Sequence, residues 1–190
     1  VVVGPTACGK SAFALEVAHQ IDRVELLSID SMQVYRGMDI GTAKPSAGEQ
    51  AKVRYHLIDL VDPHESFTLV DFQAAHQSAR RDIQERNGIP LLVGGTGLYV
   101  RGVIDGLTPP PRFPEIVERL ENETQTESLH QRLSQVDPVG ASRMENNNRR
   151  RIIRALEVTL GTGRPFSSFG PGLNNYPQVP YRILGIEIER

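Results

Sequence analysis

Three short stretches of the chain carry residue types that could act on a phosphorylated substrate. Gly4-Pro5-Thr6-Ala7-Cys8-Gly9-Lys10-Ser11 fits the pattern G-x-x-x-x-G-K-[ST]. Glycines in such a loop let the backbone wrap a phosphate with successive N–H groups pointing inward, and a following helix aims its positive end at the same place. Lys10 offers a mobile positive charge, and the Ser11 hydroxyl suits Mg2+. Asp30 follows an apolar run and could serve as a metal partner, as a general base, or only as a cap for the turn after its strand. Gly94-Gly95-Thr96-Gly97 follows another apolar run. P-loop kinases commonly end a strand of this kind in an acid that helps hold Mg2+. Here the strand ends in Thr96, whose hydroxyl could contact phosphates or a base, or could simply cap the next helix.

Positioning these groups requires strands that end together. Residues 1–3 read as a central parallel strand, 10–20 as a helix, 25–29 as a strand and 31–45 as a loop broken by Gly37, Gly41 and Pro45. A short strand is expected over 56–60, a helix over 68–85, a strand over 89–93 and a helix from about Thr96. This βαβ rhythm predicts an α/β fold with a parallel sheet flanked by helices. Ligands in such sheets bind at the carboxyl ends of the strands, where the P-loop, Asp30 and Thr96 all fall. The prolines at 109, 110 and 111 break the pattern. Helices over 114–123, 127–136 and 148–160 follow with no strand signal, so they read as a helical insertion. The expected division is therefore a P-loop core over 1–108, an insertion over 109–177 and a return strand over 178–190.

Composition narrows the class. The chain has 190 residues and a formal net charge of −2, so its overall charge gives no case for nucleic-acid binding. Between Arg143 and Arg164, however, six arginines face two acids, a local net of +4 that could hold phosphates or be a solvated helix face. No apolar run approaches the ~20 residues that span a membrane, and no signal peptide is visible. The single cysteine, Cys8, cannot form an internal disulfide, which fits a reducing, cytoplasmic setting. His19, His56, His64, His76 and His130 lack metal-ligand spacing. Strand-like residues at both ends of the chain lead us to expect further residues on either side.

Longer runs carry more information than the P-loop. Asp30-Ser31-Met32-Gln33-Val34-Tyr35-Arg36-Gly37-Met38-Asp39-Ile40-Gly41-Thr42-Ala43-Lys44-Pro45 resembles the signature of tRNA dimethylallyltransferases. So do Gly4-Pro5-Thr6-Ala7, Leu92-Val93-Gly94-Gly95-Thr96-Gly97-Leu98-Tyr99 and Arg151-Ile152-Ile153-Arg154-Ala155-Leu156-Glu157, in collinear order over essentially all of the chain. The resemblance implies a P-loop NTPase-like core. It also implies transfer of a dimethylallyl group from its diphosphate to the N6 amine of the adenosine 3′ to the anticodon in tRNA, with release of diphosphate. In this family the P-loop, here residues 4 to 11, grips the diphosphate of the prenyl donor. The resemblance implies catalytic roles for Asp30, Thr96, Lys10 and Arg190. It implies tRNA contacts at Asp30, Ser31, Met32, Gln33, Thr96, Arg150, Arg151, Ile152, Ile153 and Arg154. Mg2+, the tRNA anticodon stem-loop and dimethylallyl diphosphate are the implied cofactor and partners, and a monomer is expected.

One position departs from the family. Where it often carries an arginine that approaches tRNA, this chain has Val117, and Arg119 two positions on lies on a different helix face. The family more often has serine at the position of Cys8, so this residue reads as a small filler. Two alternatives remain open. A small-molecule kinase using ATP would explain the P-loop but not the run from Asp30 to Pro45. A non-catalytic nucleotide-binding module would need neither Asp30 nor Thr96 in the cleft.

Overall fold

Strand β2 (Val24–Ile29) is buried on both faces, and its alternation sorts the apolar residues into two layers. Val24 and Leu26 pack with Ala14 of helix α1 (Lys10–Gln20), whereas Leu27 and Ile29 pack on the opposite side with Phe72, Ile83 and Tyr99. The computed structural model describes residues 1–169 and 178–187. Strand β1 (Val2–Val3), the four-residue helix α2 (Ala47–Gln50) and strand β3 (Tyr55–His56) precede helix α3 (Leu69–Glu85), strand β4 (Ile89–Gly94) and helix α4 (Gly97–Ile104). The segments α5 (Pro114–Glu121), α6 (Thr126–Val136), α7 (Pro138–Ser142) and α8 (Arg149–Thr162) are all helical, and strand β5 (Leu184–Gly185) follows them. The sheet runs β3-β2-β4-β1-β5 with every pairing parallel.

The chain divides into two compact units, Val1–Leu107 with Pro177–Arg190, and Thr108–Tyr176. In the first, Phe72 and Tyr99 stack with ring centroids 4.1 Å apart, joining α3 to α4 on one face of the sheet. Helix α3 begins in a capping box: Thr68 accepts from the Asp71 N–H, and the Asp71 carboxylate accepts from that of Thr68. The strand expected over 56–60 is shorter. Leu57 and Asp59 take positive φ values of 65° and 53°, which ends pairing after His56. Val61 makes only an isolated bridge to Tyr35. Two short helices were not anticipated, although both carry start signals: a Ser46/Glu49 capping box for α2, and Asp137 before Pro138 for α7.

The second unit closes around Leu120, Leu129, Leu133, Ile152 and Leu156. Two of its arginines, Arg149 and Arg154, are used inside it. Arg149 Nη2 donates to the carbonyls of Leu120 (3.3 Å), Glu121 (3.1 Å) and Glu123 (2.5 Å), satisfying the carboxyl end of α5. Glu157 is 1 % exposed, accepts from Arg154 Nη1 at 2.6 Å and from the Phe113 N–H at 2.7 Å. Arg154 also donates to the Pro110 and Pro111 carbonyls at 2.6 and 3.1 Å. The proline run therefore enters α5 through an ion pair whose carboxylate is buried and whose arginine is partly exposed.

Candidate active site

The ends of β1, β2 and β4 lie side by side because they are neighbours in one parallel sheet, and the three motifs sit on the loops that leave them. Two hydrogen bonds join the turns after β2 and β4. The Thr96 N–H donates to the Ile29 carbonyl at 3.4 Å, and the Ser31 N–H donates to Thr96 Oγ1 at 3.1 Å. The Thr96 side chain makes no cap bond to α4 although Thr96 stands at its N-cap position. Its oxygen braces the Asp30 turn as an acceptor and leaves the O–H free to donate. Asp30 Oδ1 accepts from the N–H groups of Met32 (2.8 Å) and Gln33 (3.4 Å), so the carboxylate caps its own turn and is fixed by it.

The P-loop reaches the same place through a close approach. A Cβ at Gly95 would lie 2.9 Å from the Gly4 carbonyl oxygen and 3.6 Å from Lys10 Nζ, so only glycine lets β4 run this near the loop. Gly9 stands before α1 in left-handed conformation, and Ser11 is exposed in the first turn. Lys10 Nζ donates to the Pro5 carbonyl at 2.5 Å and lies 3.7 Å from Cys8 Sγ. Its ammonium thus rests on the rim of the loop. Cys8 is buried, and Pro5, Thr6 and Ala7 are exposed.

Placement of the remaining expected residues is mixed. Met32 is exposed beside the Asp30 carboxylate that its N–H contacts. Gln33 is buried, and its side chain accepts from Ser28 Oγ at 2.8 Å and donates to the Thr42 and Ala43 carbonyls at 3.0 Å each. That bracing role of Gln33 was missed, because nothing local in the sequence reveals a partner ten residues away. Arg150 and Arg151 are exposed on α8, whereas Ile152 and Ile153 are packed in the apolar core of the second unit. These two isoleucines, expected among the tRNA contacts, have side chains turned to protein instead, as the 3.6-residue helical period requires for neighbours of Leu156. Arg154 is likewise engaged by Glu157 and the proline carbonyls. Val117 packs against the core of its unit, and Arg119 is exposed. Arg190 lies outside the described residues.

The arrangement brings the glycine loop 4–11, a lysine and a fixed carboxylate to one end of one sheet. Such a set can neutralise a departing diphosphate and accept a proton nearby. Comparison with known proteins gives a consistent picture. The family model described as IPP transferase matches residues 33–190. A tRNA dimethylallyltransferase of Geobacter metallireducens is 50% identical over the whole chain, which spans 63% of that relative's length. The full-length tRNA isopentenylpyrophosphate transferase of Bacillus halodurans is 46% identical with a TM-score of 0.54, over 86% of this chain and 55% of that one. A eukaryotic dimethylallyltransferase, described in crystallographic snapshots as acting on tRNA, is 26% identical with a TM-score of 0.76, over 97% of this chain and 46% of that one.

Proposed function

The chain belongs to the IPP transferase family, and on that premise we propose that it carries the catalytic core of a tRNA dimethylallyltransferase. In the proposed reaction the allylic C–O bond of dimethylallyl diphosphate breaks, and its electron pair leaves with diphosphate. The N6 amine of the adenosine 3′ to the anticodon forms the new C–N bond and gives up a proton. Asp30 takes that proton, a contribution worth about 10²–10⁴-fold in rate. The amides of the loop 4–11, the amino end of α1 and Lys10 hold the diphosphate, with the ammonium moving from the Pro5 carbonyl onto the phosphate.

The residues present suit Mg2+. Ser11 offers an exposed hydroxyl at the loop, and among the described residues no group of three or more His, Cys, Asp or Glu forms a cage. Mg2+ favours such a setting, with one or two protein oxygens completed by phosphate oxygens and water. When bound it supplies positive charge to the leaving group. Arg190 completes the diphosphate grip in this reading. Thr96 holds the Asp30 turn in register, and Ser31, Met32, Arg150 and Arg151 face tRNA. A cytoplasmic monomer belongs to the same reading, and among the described residues no helix is long and apolar enough to cross a membrane.

The observation that carries the proposal is the bond from the Ser31 N–H to Thr96 Oγ1, which sets the carboxylate turn beside the loop that follows β4. No observation favours the ATP-dependent kinase. A competition experiment separates the two: dimethylallyl diphosphate should bind at least ten times tighter than ATP and lose its affinity in Lys10→Ala. Tighter binding of ATP, with the prenyl donor unable to displace it, would refute the assignment.

A further inference from the structure

The loop around residues 38–44 is held more firmly than an exposed loop requires. Its anchor is Lys44, whose side chain is 2 % exposed. The ammonium donates to the Tyr35 carbonyl (2.7 Å), Asp39 Oδ1 (2.8 Å) and Asp59 Oδ1 (2.7 Å). Burial opposes its charge, but the hydrogen bonds and charges of Asp39 and Asp59 prevail and hold its pKa above the ordinary lysine value. Thr42 Oγ1 donates to the Met38 carbonyl at 2.7 Å and closes the neck of the loop. Gln33 grips the Thr42 and Ala43 carbonyls, and Ala43 takes a φ of 51°. The Lys44 bonds more than offset the desolvation of its ammonium, whereas placing alanine in left-handed conformation costs free energy. At the tip of this braced loop Ile40 is 99 % exposed, packing on nothing among the described residues.

An apolar side chain at the apex of a locked loop is preorganised for contact with something outside it, since little ordering entropy is left to lose. Gln33 ties this loop to the Asp30 turn. Its side chain grips this loop while its N–H donates to the Asp30 carboxylate, so Ile40 is held in fixed relation to the proposed base. We propose that Ile40 is a nucleobase contact that packs on a base neighbouring the reactive adenine and keeps it out of its stack. Apolar side chains act as wedges between bases elsewhere, and single-stranded loop bases present open faces to them. The proposal rests on the prenyl-transfer reading above.

The test uses Ile40→Ser in the protein at its natural length, with an anticodon stem-loop RNA carrying 2-aminopurine next to the reactive adenosine. The variant should raise KM for the RNA roughly tenfold, as loss of one buried aliphatic contact implies. It should also reduce the fluorescence rise that reports unstacking. Donor affinity and Tm should stay unchanged, and Ile40→Leu should restore KM. An unchanged KM and fluorescence signal, while wild type transfers prenyl normally, would overturn this inference alone. A Tm several degrees lower would place Ile40 against protein and overturn it too. Failure of wild type to transfer prenyl to any RNA would remove both the inference and the reading beneath it.

Discussion

Single residues separate the chemistry from its scaffolding. The Lys10 ammonium bonds at the P-loop rim and packs on no buried core, so Lys10→Ala should abolish transfer while leaving Tm within a degree or two. Thermal melting beside a turnover assay checks both halves of that statement. Asp30 requires a finer comparison, because its carboxylate both caps a turn and serves as the proposed base. Asp30→Asn keeps an oxygen for the cap and removes the basicity. It should lower kcat by about 10²-fold or more with donor affinity nearly unchanged. If only donor affinity falls, Asp30 is a metal partner. The arginines of α8 divide in the same way. Arg154→Ala would leave Glu157 buried without its counter-charge, at a cost of about 3–5 kcal/mol in stability. Arg150→Ala and Arg151→Ala remove exposed side chains and should barely move Tm, as chemical denaturation of the three variants will show.

At the level of elements, the sheet and its two helical layers explain why the site stays in register. Phe72 is fully buried and stacked on Tyr99, so Phe72→Ala should cost about 3–5 kcal/mol and loosen α3 from α4. His76, on the same helix, is 4 % exposed, and its Nε2 has no hydrogen-bond partner among the described residues. Burial, helped by the nearby Arg80 charge, pushes its pKa down to about 4. The unfolded chain, with an ordinary histidine pKa near 6.5, therefore takes up a proton before the folded chain does. Stability is full above about pH 6.5 and falls as pH drops toward 4, by on the order of 2–3 kcal/mol. Denaturation at pH 7 and pH 5 should show this loss in wild type and a smaller one in His76→Leu. The strands and long helices were legible because β2, β4 and α3 carry clear apolar patterns, and the strand-end rule placed Asp30 and Thr96 together. Three features were not legible: the early end of β3 at Leu57, the Gln33 and Lys44 braces, and the internal engagement of Arg149 and Arg154. Each depends on a backbone conformation or a partner distant in sequence, which residue type and spacing do not encode.

At the level of the whole molecule, the chain spans 63% of the length of its Geobacter relative. The +4 segment from Arg143 to Arg164 sits in an otherwise acidic chain, and its exposed members can neutralise RNA phosphates. The double variant Arg150→Ala, Arg151→Ala should weaken tRNA binding and flatten its dependence on salt, with donor affinity preserved. Titrations of RNA and donor across a salt series measure both. The most direct test of the central claim is product analysis. Labelled dimethylallyl diphosphate, Mg2+ and tRNA should yield adenosine alkylated at N6 on the 3′ side of the anticodon, with one diphosphate released per transfer. Unmodified tRNA, together with a phosphorylated small molecule formed from ATP at a rate that Lys10→Ala abolishes, would contradict the account.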